Sequence, residues 1–156
     1  MTVLNAQKAL ADELRILLSD YKLKGENDEM KSMSVFEDMV PHPSSEDDEF
    51  SFFPYTIVRA QSGKAVEESE EESTAKFLIL IGVYDSEEKY PLNRDVLMLI
   101  QRIIERFSKN YILDGFYQRK GEIEWTISDE DVYPYCFGGL EINFTIPKIY
   151  KEDEFC

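Results

Sequence analysis

The chain has 156 residues, 43% of them hydrophobic and 13% aromatic, enough for one domain with a sizeable core. Its 32 acidic residues outnumber 17 basic ones, for a formal net charge of −15 at pH 7. Such a surface repels a phosphate backbone and gains no affinity from counterion release, which argues against conventional or sequence-specific nucleic-acid binding.

Residues 5–22 are expected to form a helix. Asn5 can cap it, and Leu10, Leu14, Leu17, Leu18 and Tyr21 recur at helical spacing before Gly25 stops it. That apolar stripe needs a cover, from the protein's own sheet or from another subunit. Residues 25–50 read as a long acidic loop. Glu26, Asp28, Glu29, Glu37, Asp38, Glu46, Asp47, Asp48 and Glu49 are opposed only by Lys31, and Pro41 and Pro43 break regular structure. Met30, Met33, Val35, Phe36, Met39 and Val40 argue against full disorder, and point to part of the loop docking on a surface.

Residues 54–60 read as a strand whose opening Pro54 suits an edge. Residues 61–75 read as a solvated hairpin tip, since Glu67, Glu68, Glu70, Glu71 and Glu72 cannot pack together. Residues 76–84 are apolar on both faces, the pattern of a central strand covered on both sides. A turn follows over 85–92.

Residues 93–108 carry the strongest helical pattern. Asn93 can cap it, Val96, Leu97, Ile100, Ile103, Ile104 and Phe107 form the apolar face, and Arg94, Gln101, Arg102, Glu105 and Arg106 the wet one. Asp114-Gly115 marks a turn. Over 122–127, Ile123, Trp125 and Ile127 alternate with Glu122, Glu124 and Thr126. Over 140–146, Leu140, Ile142, Phe144 and Ile146 alternate with Glu141, Asn143 and Thr145, and Pro147 ends the strand. This order predicts a single α+β domain, an α/β sandwich. Its sheet is mostly antiparallel, of about four strands, with helices packed on one face. The N-terminal helix takes 1–24, the acidic loop 25–50, the sheet-helix core 51–150 and a tail 151–156.

Residues with chemical potential are few. Cys136 and Cys156 are too few for a disulfide scaffold and match no metal spacing, so they read as reduced thiols. The one histidine, His42, lies between Pro41 and Pro43 in the acidic loop, where nothing holds it as a general base. Glu122 and Glu124 share a strand face, but nothing fixes the separation that an acid/base pair requires. The run Glu46-Asp47-Asp48-Glu49 lacks the alternating acids and the glycine of a calcium loop. Gly138-Gly139 precedes a strand rather than a helix and reads as a backbone turn or bulge. Tyr111, Phe116, Tyr117, Tyr133, Tyr135 and Phe137 read as core and interface anchors rather than a base-stacking platform. No catalytic, cofactor-binding or metal-binding residue is assigned. The first nineteen residues are amphipathic rather than a signal peptide, and no apolar run nears the roughly 18 residues of a membrane span. The expected location is the cytosol where the chain is made, with no membrane partner.

Several short motifs carry a resemblance. Phe53-Pro54-Tyr55-Thr56-Ile57-Val58-Arg59, Ile81-Gly82-Val83-Tyr84-Asp85, Arg94-Asp95-Val96-Leu97, Glu124-Trp125 and Tyr133-Pro134-Tyr135-Cys136-Phe137-Gly138-Gly139-Leu140-Glu141 resemble the tail terminator proteins of long-tailed bacteriophages and prophages. These are also called tail completion or minor tail proteins. The resemblance spans roughly residues 50–148. It implies an α/β fold, a homo-hexameric ring that caps the tail tube protein and receives the head connector protein, and no catalysis or cofactor. It also implies a monomer before assembly and a passage from the bacterial cytoplasm to the virion tail. An acid-rich lumen would let DNA slide without sticking. Glu67–Glu72 and Glu46–Glu49 are candidates for that lining and equally for a solvated outer rim. The alternatives are another head–tail joining protein, an acidic DNA mimic that inhibits a DNA-binding enzyme, and an enzyme or small-molecule binder.

Overall fold

The computed structural model describes residues 2–24, 30–40, 53–67, 72–84, 93–130 and 134–147. His42, Glu46, Asp47, Asp48, Glu49, Tyr133, Cys156 and the Glu68–Glu71 tip lie outside the described residues. In chain order the elements are α1 (Val3–Leu17), β1 (Lys22–Lys24), β2 (Met30–Ser32), β3 (Ser34–Glu37), β4 (Tyr55–Lys64), β5 (Ser73–Tyr84), α2 (Asn93–Lys109), β6 (Ile112–Leu113), β7 (Tyr117–Ile127) and β8 (Tyr135–Ile146).

The main sheet has six strands in the order β3-β4-β5-β8-β7-β6, and β1-β2 form a separate hairpin. Only β3 pairs parallel to its neighbour; every other pairing is antiparallel. The α+β class therefore holds, but the sheet has six strands rather than four. The two additional strands are its edges. β6 is only two residues long, and β3 lies inside the stretch read as loop. There Met33 and Val35 are buried, and that burial outweighs the acidic composition around them. The long strands run past their expected ends because the β4–β5 and β5–β8 ladders continue to Lys64↔Thr74 and Ser73↔Ile146.

Helix α1 begins before Asn5. Thr2 is the N-cap, its hydroxyl accepts from the Asn5 backbone N–H, and the Asn5 side chain accepts from the Thr2 N–H. The two close a capping box, which makes Asn5 its third residue rather than its cap. α1 packs on β3 and β4, and α2 packs on β8, β7 and β5. Leu10, Leu14, Val58, Phe77, Ile79, Val96, Ile100, Ile103, Leu140, Ile142 and Phe144 merge into one core beneath them. The two helices run antiparallel. Arg106 meets Glu13, Arg102 meets Asp20 at 2.7 Å, and the Tyr21 hydroxyl meets the Met98 sulfur at 3.6 Å. Arg106 also donates to the Asn110 and Ile112 carbonyls, tying the end of α2 to β6.

Among the buried side-chain nitrogen and oxygen atoms of the described residues, one is left without a hydrogen bond, the Thr56 hydroxyl on β4. A buried hydroxyl with no partner costs more than it returns, and valine matches its shape. Thr56→Val is therefore expected to stabilise the fold by about 1 kcal/mol. Urea unfolding at constant slope would show this as a higher midpoint; an unchanged or lower midpoint would mean that the hydroxyl is satisfied.

Candidate interaction face

Alternation along the strands gives the sheet two unlike faces. Ala75, Phe77, Ile79, Ile81 and Val83 of β5 point to the helices and are buried. Leu78 and Leu80 point the other way and are only half-buried. A strand apolar on both sides was expected to be covered on both. Among the described residues that second face is open at least at a shallow groove over Leu78 and Leu80.

Register sets the rows of that open face. Ile57, Leu80, Gly139 and Thr126 form one rung, and Arg59, Leu78, Glu141 and Glu124 form the next. Leu78, Leu80, Phe137 and Gly139 floor a shallow groove of about 320 Å³, with Glu124 and Glu141 at one end. Those two carboxylates stand directly opposite each other across β7 and β8. Like charges so placed repel. Lys76 offsets part of this, 3.6 Å from Glu141.

The other end of the face is aromatic. Phe53 is buried, with ring centroids 4.8 Å from Tyr55, 4.9 Å from Tyr135 and 5.9 Å from Phe137. Tyr84 adds to the cluster at 5.5 Å from Tyr135, its cross-strand partner. Gly82 makes room for it: a β-carbon there would lie 2.7 Å from the Tyr55 ring and 3.0 Å from Phe53. Three segments distant in sequence thus meet at one place. Reading the chain alone missed this convergence, although all the segments belong to the motifs quoted above. The signal was the placement of glycine at 82, which aromatic rings need if they are to lie flat on the strand.

Gly138-Gly139 is neither a turn nor a bulge. Both sit inside β8, and the β5–β8 register runs through them without a shift. A β-carbon on Gly138 would meet Val96 of α2 at 2.5 Å, and one on Gly139 would meet the Ile79 carbonyl at 2.8 Å. The pair lets a helix approach one face of β8 and a neighbouring backbone crowd the other.

Of the candidates for chemistry, Glu124 is on the open face opposite Glu141, and Glu122 is exposed beside it on β7. Glu72, from the acidic run, pairs with Lys120 at 3.2 Å on the surface. Cys136 is buried on β8. Burial pushes its thiol up, with the nearby Asp95 charge adding to this and a backbone hydrogen bond at Phe137 opposing it. Burial also raises the Tyr55 and Tyr117 phenols, and Asp114 adds to the shift of Tyr117.

These three shifts share one sign. Each group is harder to ionise folded than unfolded, so its stability is fully present below its unfolded value, about 8.5 for Cys and 10 for Tyr. The stability is lost as pH rises through the folded values. The melting temperature is therefore expected to fall above about pH 8.5. Iodoacetamide should label Cys136 only on unfolding, and absorbance titration should find phenols that ionise late. Rapid labelling of native Cys136, or a flat alkaline melting profile, would contradict this.

No helix among the described residues is long and apolar enough to cross a membrane, and no group of three or more His, Cys, Asp or Glu gathers there to hold a metal. No family model matches the chain and no curated protein matches it. Solved structures do. One that carries only a record label is 9% identical, covers 94% of this chain over 92% of its own length, and superposes with a TM-score of 0.53. At that identity the likeness is one of fold.

Proposed function

We propose that this chain is a phage or prophage virion assembly subunit, a tail terminator that caps the tail tube as an oligomeric ring and joins it to the head connector. It acts by stoichiometric binding, with no catalytic residue, cofactor or metal assigned. The observation that carries this reading is the convergence of the motif residues. Phe53, Tyr55, Gly82, Tyr84, Tyr135 and Phe137 come from the segments that bear the family resemblance, and they assemble into one aromatic cluster on the sheet face opposite the one on which the two described helices pack. Aromatic residues clustered at a surface with an apolar floor are the composition of protein-binding centres. On this reading the chain is made in the bacterial cytoplasm and ends in the virion tail, and its acidic surface keeps passing DNA from adhering.

The test is negative-stain imaging of purified tail tubes mixed with the protein. Rings seated on tube ends are expected. Bare tube ends, together with tight binding to a basic DNA-binding enzyme, would replace this reading with that of an acidic mimic.

A further inference from the structure

The turn between β6 and β7 shows an unusual amount of apolar surface for its length. Tyr111, Ile112 and Phe116 are 47%, 40% and 56% exposed. The segment is firmly braced all the same. Asp114 and Gly115 take successive positive φ values of 53° and 73°, and the Phe116 N–H closes the turn on the Leu113 carbonyl at 3.2 Å. Behind it, Arg106 donates to the Asn110 and Ile112 carbonyls, and the Asn110 side chain accepts from the Ile112 N–H at 3.0 Å. The Arg119 guanidinium lies over the Tyr111 ring, 4.3 Å from its centroid, and Phe116 rests edge-on against Tyr117. A projection held in this way has little freedom left to lose on binding, and exposed aromatic side chains on it suit it as an anchor.

Two observations choose the partner. The first is the charge of the projection. Over residues 106–120 the bases are Arg106, Lys109, Arg119 and Lys120 and the one acid is Asp114, in a chain whose net charge is −15. Arg106 is engaged by Glu13 and Lys120 by Glu72, while Lys109 stands exposed at the end of α2. The projection is therefore apolar with a basic rim. The second is that the groove on the sheet face opposite the helices is its complement, with an apolar floor of Leu78, Leu80, Phe137 and Gly139 and an acidic end at Glu124 and Glu141. Gly139 lies between Leu80 and Thr126 on one rung and leaves the floor low there. Lys76 meets Glu141, and the exposed Glu124 adds like charge beside it, so a base brought to Glu124 relieves repulsion already present.

We infer that the β6–β7 turn of one molecule docks in this groove of a second copy, with Phe116 on the floor at Leu80 and Gly139 and Lys109 beside Glu124. The contact joins unlike surfaces, so it repeats head to tail and builds a closed ring or an open filament. It rests on the proposed self-association and names the two surfaces that carry it.

Disulfide trapping tests this, in a Cys156→Ser background with the buried Cys136 left in place, using mild oxidation and a non-reducing gel. Lys109 ends α2 on one face of the sheet and Glu124 lies on the other, so thiols at the two positions meet between molecules. A chain bearing both Lys109→Cys and Glu124→Cys should give a ladder of dimers, trimers and larger species. A mixture of the two single variants should give dimers, and either single variant, or Lys8→Cys on α1 combined with Glu124→Cys, only background. Phe116→Ala removes the anchor from an exposed site, and Thr126→Arg fills the groove and supplies Glu124 with a base. Each, added to the double-cysteine chain, should slow ladder formation by about tenfold or more with the melting temperature unchanged. No ladder, efficient dimers from one single variant, or a ladder formed as fast without the Phe116 ring overturns the contact. A ladder without rings on tube ends leaves the contact standing and removes the tail reading; rings without a ladder do the reverse.

Discussion

Phe144→Ala is expected to cost about 3–5 kcal/mol, the range for emptying a buried aromatic site. Phe144 is fully buried on β8, its ring 5.4 Å from Phe107 of α2 in an edge-on arrangement and 6.3 Å from Phe77 of β5. Its loss removes apolar burial, two aromatic contacts and the packing between helix and sheet at once. A domain of this kind has only about 5–15 kcal/mol in total. The melting temperature should fall by roughly 6–20 °C, given about 2–4 °C per kcal/mol at this size. Phe144→Leu refills most of the space and should recover much of that loss. Calorimetry in which the alanine variant melts within a degree or two of the parent would remove Phe144 from the centre of the core.

Substitution of Gly138 should act by the opposite mechanism, with a comparable result. A β-carbon there stands 2.5 Å from Val96 Cγ1 and 3.1 Å from the Thr126 carbonyl oxygen, so α2 must lift from the sheet or β8 must shift. Overpacking of this kind costs about 1–3 kcal/mol for one added methyl, and a branched side chain would cost more. The identity of the clashing atom makes the claim specific. Val96→Ala removes Cγ1, so Gly138→Ala with Val96→Ala should be less damaging than the sum of the two single changes. Gly139→Ala meets the Ile79 backbone instead and should gain nothing from Val96→Ala. Additive free energies in the 138/96 pair would mean that helix and strand are not in the contact described.

What the chain revealed when read alone was periodicity. The alternation at 140–146 and the helical spacing at 93–108 set which side chains face the core, and Ile142, Phe144, Val96 and Ile103 are all buried as that predicts. Length was less legible, because the ladders extend beyond the apolar runs through residues such as Ser62, Gly63 and Lys64, whose pairing follows from their neighbours rather than from hydrophobicity. β3 was hidden because four residues cannot display a period against acidic surroundings. The face of β5 that carries Leu78 and Leu80 was harder to read for a different reason, and among the described residues it is only half-buried. An apolar residue reports that contact is favourable, and not which molecule supplies it. The aromatic cluster was visible only as separate motifs, since nothing in Phe53-Pro54-Tyr55 announces that Gly82 will leave it room.

The place of β5 in the strand order has a consequence for how the chain is made. This central strand finds one partner, β4, close by in sequence, but waits for β8, whose first residue is more than fifty positions after its own last. Pairings so distant form slowly, and until then Phe77, Leu78, Ile79, Leu80 and Ile81 remain exposed to other nascent chains. Five glutamates, Glu67, Glu68, Glu70, Glu71 and Glu72, lie shortly before that run, separated from it by Ser73 to Lys76. Clustered charge beside an apolar strand suppresses aggregation during such a wait. Five of the acids behind the net charge of −15 thus stand, in sequence, where clustered charge would shield this strand before β8 arrives.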